Sequence, residues 1–456
     1  MLNKCCTLAV IATALAGFAG ISTSSAESID QALASAYSSN PSLNSARAQT
    51  RADDENVPLA RSGYYPIVSG FADVAASVSD IPLDAGGDKE TLDGAVGLTL
   101  TQNLFTGFRV RNAVRQAEAS VLASRELLRN TEQNVLFDSA QAYWDVLRDL
   151  SILDIRQRNT LFLEEQVRAA DERFSVGDTT RTDIAQARAR LASARAGVSS
   201  AEANLAISRA TYRRLIGHDP VRLNEAFPYV NLLPRSLPEA EILGANEHPV
   251  IHATIHQADA QAFVIKQIGG ERLPTVSLEA NVQHVESFDT GTDPNVGTII
   301  GRIRIPFFQG GSISARVRQA KEQYGLRKIE IDVARDQVRA AVVAAWAQRE
   351  AADQAIVAAQ EGISAADTAL SGVQEEQRVG QRTTLDVLDA QQDFLAVQEI
   401  EAIAERDKAV ASFALLSAIG RLTAARLNLT AAPYDPLDHY QAVRGNWFGL
   451  RTPDGR

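Results

Sequence analysis

The residues with the most chemistry to offer lie late in the chain. Asp386 and Asp389 are three positions apart, which places both on one face of a helix. Arg382 precedes them by one turn. The pair supports two readings. One is an acidic couple solvated at a helix start, where carboxylates suit the positive end of the helix dipole. The other is a cation site made strong by repetition of the chain around an axis, because like charges held together attract cations and raise each other's proton affinity. His248, His252 and His256 share a helix face and invite a metal reading. His248, however, fills the capping slot before Pro249, and the three align with Asn40, Asn44 and Ala48 earlier in the chain, so no metal is expected. No nucleophile–base pair, phosphate loop or His/Glu metal motif occurs, so no catalysis and no cofactor are expected.

Bulk properties narrow the setting. The 456 residues include 45 Lys or Arg and 56 Asp or Glu, a net charge of −11. An acidic chain has no basic face for nucleic acid, and 45% hydrophobic residues exclude a disordered one. Lys4, the apolar run Thr7 to Ile21 and Ser24-Ser25-Ala26 have the form of a secretory signal peptide over 1–26, with a mature chain from about Glu27. Cys5 and Cys6 both fall in that leader, which leaves no thiol for a disulfide, a catalytic cysteine or a zinc site. No later run reaches the ~18 apolar residues of a membrane helix, so any membrane crossing falls to strands.

The chain is written twice. Asn40-Pro41 recurs as His248-Pro249, and Tyr65-Pro66 as Leu273-Pro274, both 208 residues on. Val114-Arg115-Gln116-Ala117 recurs unchanged as Val317-Arg318-Gln319-Ala320, 203 residues on. At that same offset Val176-Gly177 meets Val379-Gly380, Thr180 meets Thr383 and Asp183 meets Asp386. This divides the mature chain into repeat 1 (27–237), repeat 2 (238–432) and a tail (433–456).

Each repeat orders a helix, two strands, a very long helix, a tight turn and a returning helix. Val276, Leu278, Ala280 and Val282 alternate with Ser277, Glu279, Asn281 and Gln283, the period of a strand with one apolar face. Ile299, Ile303 and Ile305 oppose Arg302 and Arg304; Val96, Leu98 and Leu100 oppose Thr99, Thr101 and Asn103. Val68, Ala72 and Val74 oppose Ser69 and Asp73, with Phe71 an exception on the polar side. Strands of ~10–13 residues reach across a bilayer at a barrel tilt; the pattern also fits a half-buried sheet in a soluble domain. Aromatics clustered at one end (Tyr64, Tyr65, Phe105, Phe108, Phe307, Phe308) and Gly/Asp-rich loops at the other (Ser79–Thr91, Ser287–Gly297) favour the barrel. Gly107 and Gly310 are expected to stop the strands.

Val110 to Phe174 and Ile313 to Gln377 contain no proline and predict helices of ~65 residues, about 95 Å each. Ile184, Leu191, Val198, Leu205 and Tyr212 recur every seven residues, with Ala187, Ala194, Ala201 and Ser208 on a companion seam: a coiled coil of closely approaching helices. The opening helix from Ser28 to Arg61 and the returning helix together match the long one, so stacked end to end they would flank it. Four strands do not close a membrane barrel, whose smallest forms have about eight, and lipid does not tolerate open edges. Copies must pool strands. A dimer gives roughly eight and a filled interior, a trimer roughly twelve and a lumen, and a tube needs the lumen.

These residues resemble the TolC-type outer-membrane efflux and type I secretion factors over essentially the whole mature chain. The most specific stretch is Val379-Gly380-Gln381-Arg382-Thr383-Thr384-Leu385-Asp386-Val387-Leu388-Asp389-Ala390, similar to that family's periplasmic entrance segment. Asp435-Pro436-Leu437-Asp438-His439-Tyr440 with Trp447 is similar to the tail of its type I secretion branch. The resemblance implies a mainly α fold with β: a trimeric 12-strand outer-membrane β-barrel, four strands per chain, continued by a long periplasmic α-helical coiled-coil barrel. It implies a homotrimer in outer-membrane lipid that meets a periplasmic adaptor and an inner-membrane transporter of RND or ABC type, passing drugs, detergents or unfolded proteins. Asp386 and Asp389 would then form the pore constriction. Arg382, Thr182, Asp183 and Gln377 would restrain the closed gate, Gln377 standing where the family has tyrosine. Val176, Gly177, Thr180, Val379, Gly380 and Thr383 would be adaptor-docking tips, where turn chemistry with glycine supplying positive φ is the simpler reading. The competing reading is a periplasmic coiled-coil adaptor or scaffold protein without a pore. An adaptor would carry one hairpin nested in small β domains rather than two tandem hairpins, each preceded by strands.

Overall fold

The computed structural model describes residues 26–79, 89–288, 291 and 293–455. The expected leader, up to Ser25, most of the loop 79–91 and part of the loop 287–297 lie outside the described residues.

The opening helical segment is three pieces: α1 (Ile29–Ser39), α2 (Pro41–Asp54) and α3 (Asn56–Arg61). Ser28 and Gln31 close a capping box at the start of α1. Asn40 interrupts the run with an extended backbone and caps α2 ahead of its first-turn proline. Then follow β1 (Ile67–Ser79), β2 (Lys89–Phe105), α4 (Arg109–Ser175) and α5 (Arg181–Ile216). The second half has the same order: α6 (Leu237–Glu247), α7 (Pro249–Gly269), β3 (Thr275–Ser287), β4 (Asn295–Arg304), α8 (Ser312–Arg378) and α9 (Thr384–Ala418), with α10 (Pro436–Val443) in the tail. α4 and α8 have 67 residues each, or about 100 Å.

The strands form one antiparallel sheet in the order β1-β2-β3-β4. The two strand pairs therefore join through β2 and β3, and β1 and β4 are edges. The register lines up Val68, Leu100, Ala280 and Ile299 on one face and Ser69, Thr99, Asn281 and Thr298 on the other. The apolar face is bare: Val68 is 62% and Ile299 76% exposed. The polar face carries an Arg302–Glu279 ion pair at 3.0 Å. Phe71 breaks the alternation because it sits opposite Gly97. A Cβ on Gly97 would lie 2.9 Å from its ring, so the ring covers a bare stretch of backbone.

Two strand boundaries differ from the sequence expectation. β2 runs for 17 residues, longer than anticipated. β4 ends at Arg304 rather than near Gly310, because Pro306 has no N–H for the ladder; Ile305 lies beyond the strand. Among the described residues no helix is long and apolar enough to cross a membrane.

The helices pack as two hairpins side by side. α4 lies against α5, α7 and α9, and α8 lies against α9 and α7. The short helices stack end to end. Ser35 Oγ donates to the Ile216 carbonyl at 2.9 Å, and Asn40 Nδ2 donates to the Leu215 carbonyl at 2.9 Å, so the last turn of α5 abuts the junction between α1 and α2. In the second half, Arg421 just after α9 holds Glu247 just before α7 through two bonds of 3.0 and 2.7 Å. The main core gathers at these junctions, with Leu136, Tyr143, Tyr212, Phe413 and Leu416 fully buried; each such side chain contributes roughly 1.5–3 kcal/mol by leaving water. Along α5 the seam residues Ala187, Leu191, Ala201, Leu205, Ser208 and Tyr212 are buried, as the seven-residue spacing requires.

Candidate functional site: hairpin tips and the start of α9

Both hairpins turn in the same way. Gly177 and Gly380 have φ of +84° and +80°, the left-handed region that disfavours other L-residues by about 1–2 kcal/mol. Neither has any atom within 4 Å of where a Cβ would stand. Val176 and Val379 beside them are 79% and 71% exposed. Thr180 caps α5 and Thr383 caps α9, and Asp183 and Asp386 complete the two capping boxes. The Thr180 and Thr383 backbone N–H groups, with the threonine hydroxyls, hold both carboxyls below the usual carboxylate range. Sequence reasoning placed Asp386 on a helix face but missed its cap, although Thr-x-x-Asp is a readable signal.

The other candidates scatter over several partners. Arg382 Nε donates to Glu376 Oε2 at 2.8 Å in its own hairpin; within one chain it is not bonded to Thr182 or Asp183. Thr182 is exposed at the start of α5. Gln377 donates to Thr384 Oγ1 at 3.2 Å and accepts from Arg173 Nη2 at 3.5 Å, which ties α8 to the first hairpin. Asp389 is exposed, and Arg190 Nη2 on α5 donates to it at 2.8 Å. Asp386 and Asp389 do share a face, but in a single chain they are engaged differently: one with its own helix start, the other with the neighbouring hairpin.

Arg190 opens a series of rungs that sequence reasoning did not find. Leu388 packs with Leu163, Ala187 and Leu191. Gln391 donates to Asn159 at 3.0 Å in a buried bond. Arg156 grips Glu399 with two bonds of 2.6 and 3.2 Å, and Arg406 donates to Asp145 at 2.8 Å. Together they clamp α9 to the first hairpin. The partners are 199 to 261 residues apart, so no local pattern could have paired them.

The histidines are engaged one by one. His248 Nδ1 accepts from the Val250 N–H at 3.2 Å, capping α7. His252 Nε2 lies 2.8 Å from the Asn246 carbonyl, and His256 Nδ1 lies 4.0 Å from Asp259. Among the described residues no group of three or more His, Cys, Asp or Glu could hold a metal ion.

Known proteins share this architecture. A protein-family model described as outer membrane efflux protein matches residues 32–218 and again 245–421. Outer membrane efflux protein BepC of Brucella suis is 44% identical over 97% of this chain and 95% of its own length. Outer membrane protein TolC of Escherichia coli K12 is 26% identical over 69% of this chain and 66% of its own. The crystal structure of the Campylobacter jejuni CmeC outer membrane channel superposes with a TM-score of 0.77 at 17% identity, over 91% of this chain and 89% of that one, and so shares the fold. The chain therefore belongs to the outer membrane efflux protein family, TolC-type channels of the outer membrane that transport rather than catalyse.

Proposed function

We propose that the chain is one third of a homotrimeric exit duct. Three sheets join edge to edge into a twelve-strand barrel in the outer membrane, and the helical hairpins continue it as a periplasmic tube. Repeats 27–237 and 238–432 each give the wall two strands and one hairpin, and the tail 433–456 wraps the equatorial region. A periplasmic adaptor docks at the tips Val176, Gly177, Thr180, Val379, Gly380 and Thr383. An inner-membrane transporter of RND or ABC type then feeds drugs, detergents or unfolded proteins into the tube.

The observation that carries this reading is the sheet: two unpaired edges, β1 and β4, with a bare apolar face on one side and a charged, hydroxyl-rich face on the other. Open edges in lipid leave backbone groups without partners, and closing three such sheets on one another removes every edge. The test uses the lack of any cysteine after Cys6. Val74→Cys combined with single cysteines scanned along β4 should give a disulfide-linked trimer at one register. Only monomer at every position would overturn the trimer.

At the entrance, three-fold symmetry brings Asp386 and Asp389 into a constriction of six carboxylates. Gln377, Arg382, Thr182 and Asp183 restrain the closed state, and opening releases α8 and α9 from the first hairpin. Deleting the gene and measuring both detergent and dye sensitivity and the secreted-protein profile separates small-molecule efflux from protein secretion.

A further inference from the structure

After α10 the tail carries an exposed apolar segment. Arg444-Gly445-Asn446-Trp447-Phe448-Gly449-Leu450-Arg451 holds three large apolar side chains between two arginines, with no acidic residue among them. Trp447 is 72%, Phe448 90% and Leu450 102% exposed. The helix before it is firmly held. His439 Nδ1 lies 3.0 Å from buried Asp54, the Arg125 guanidinium lies 4.7 Å from the centre of the Tyr440 ring, and Arg61 Nη1 donates to the Arg444 carbonyl at 2.9 Å. The Trp447 ring packs on Tyr65 with centroids 5.7 Å apart, two residues before β1 begins. The segment is thus pinned at the end of the sheet where the chain passes from helix to strand, the end that also carries Phe105, Phe108, Phe307 and Phe308.

Three adjacent apolar side chains left in water call for an occupant. Tryptophan and phenylalanine favour the boundary between headgroups and acyl chains, and arginine stems lie along apolar surface while their heads reach phosphates. The bare apolar face of the sheet begins at Val68, three residues beyond Tyr65, so the segment continues the surface that the proposed barrel turns to lipid. We propose that residues 447–450 insert into the periplasmic leaflet of the outer membrane, with Arg444 and Arg451 on phospholipid phosphates. The inference rests on the reading that β1–β4 cross that membrane. It gives each chain a second anchor, fixed to α2 and α4 through Asp54 and Arg125, that sets the depth of the duct in the bilayer.

The chain has three tryptophans, so Trp144→Phe/Trp346→Phe leaves Trp447 as the only indole, excited selectively at wavelengths tyrosine does not absorb. The full-length protein is reconstituted in phosphatidylcholine/phosphatidylglycerol vesicles carrying brominated acyl chains. The expected result is loss of most Trp447 emission, strongest with bromines nearest the headgroup, and little quenching by iodide. A parallel Ile299→Trp variant, with Trp447→Phe in the same background, reports on the sheet. If it is quenched by bromolipid while Trp447 responds only to iodide, the segment lies in water and the proposal is wrong. If Trp447 responds to neither, a neighbouring protomer covers it, and the proposal is equally wrong. If Ile299→Trp itself escapes bromolipid, the failure belongs to the membrane-spanning sheet. Should the phenylalanine replacements prevent folding, Phe448→Cys carrying an environment-sensitive dye reads the same contrast.

Discussion

Arg190 Nη2 lies 2.8 Å from Asp389 Oδ1, so a carboxylate assigned to the duct's constriction is held by a cation from the other hairpin of its own chain. The Arg190 and Asp389 side chains are 40% and 55% exposed, which limits the pair to about 0–1 kcal/mol of stability. In the proposed duct its effect is on charge at the entrance. Arg190→Ala should leave trimers intact and make the channel more cation-selective. Asp386→Asn/Asp389→Asn should make it less so and weaken block by multivalent cations. Planar-bilayer reversal potentials measure both, and unchanged selectivity in the double variant would remove the carboxylates from the conduction path.

The tips separate docking from folding. Space around Gly177 and Gly380 is open, so a side chain there meets only the backbone's left-handed φ, a cost of about 1–2 kcal/mol per tip. Gly177→Val/Gly380→Val should abolish export while trimers and outer-membrane insertion persist. The matching asparagine variants, which tolerate that φ, control for strain. Loss of the trimer itself in the valine variant would assign the tips to folding alone.

His248 gives the fold an acid-sensitive joint. Burial, with smaller contributions from Arg129 and His252, lowers its pKa from 6.5 to about 4. Its Nδ1 accepts the Val250 N–H, which requires the neutral ring. The unfolded chain therefore binds this proton first as pH falls. Stability is complete above about pH 6.5, is lost progressively toward pH 4 by roughly 3 kcal/mol, and changes no further from this group below that. His248→Asn keeps a capping side chain, as Asn40 does in the first half. Thermal unfolding of the variant should lose this part of the pH dependence between 6.5 and 4; an unaltered pH profile would show that His248 does not carry it.

Asn40 serves two helix ends at once. Its Oδ1 accepts from the Ser42 and Leu43 N–H groups, while its Nδ2 donates to the Leu215 carbonyl. At 3% exposure neither end has water as a substitute. Asn40→Ala should cost about 1–3 kcal/mol, cap and buried bond together. Asn40→Asp keeps the cap acceptor but cannot donate to Leu215, so it should lower the melting temperature as well. An Asn40→Asp protein as stable as the native one would show that the stacked ends need no bridge.

The sequence by itself determined the local plan. Alternation in β3, the seven-residue seam on α5, the proline after Asn40 and the glycines at both tips each depend on a few neighbouring residues whose spacing matches one backbone period. The repeated order of elements was legible for the same reason, since a period survives wherever the chain runs. Tertiary structure decided the partners. A 100 Å helix slid by one turn, about 5.4 Å, keeps its pattern and exchanges every contact, so nothing local could say that Arg190 meets Asp389 or Arg156 meets Glu399. Phe71 looked misplaced until the register set Gly97 opposite it, and Arg382 turned to Glu376 because that carboxylate stands nearest in its own hairpin. Periodicity is written along the chain, whereas register between distant segments is settled only when their side chains pack.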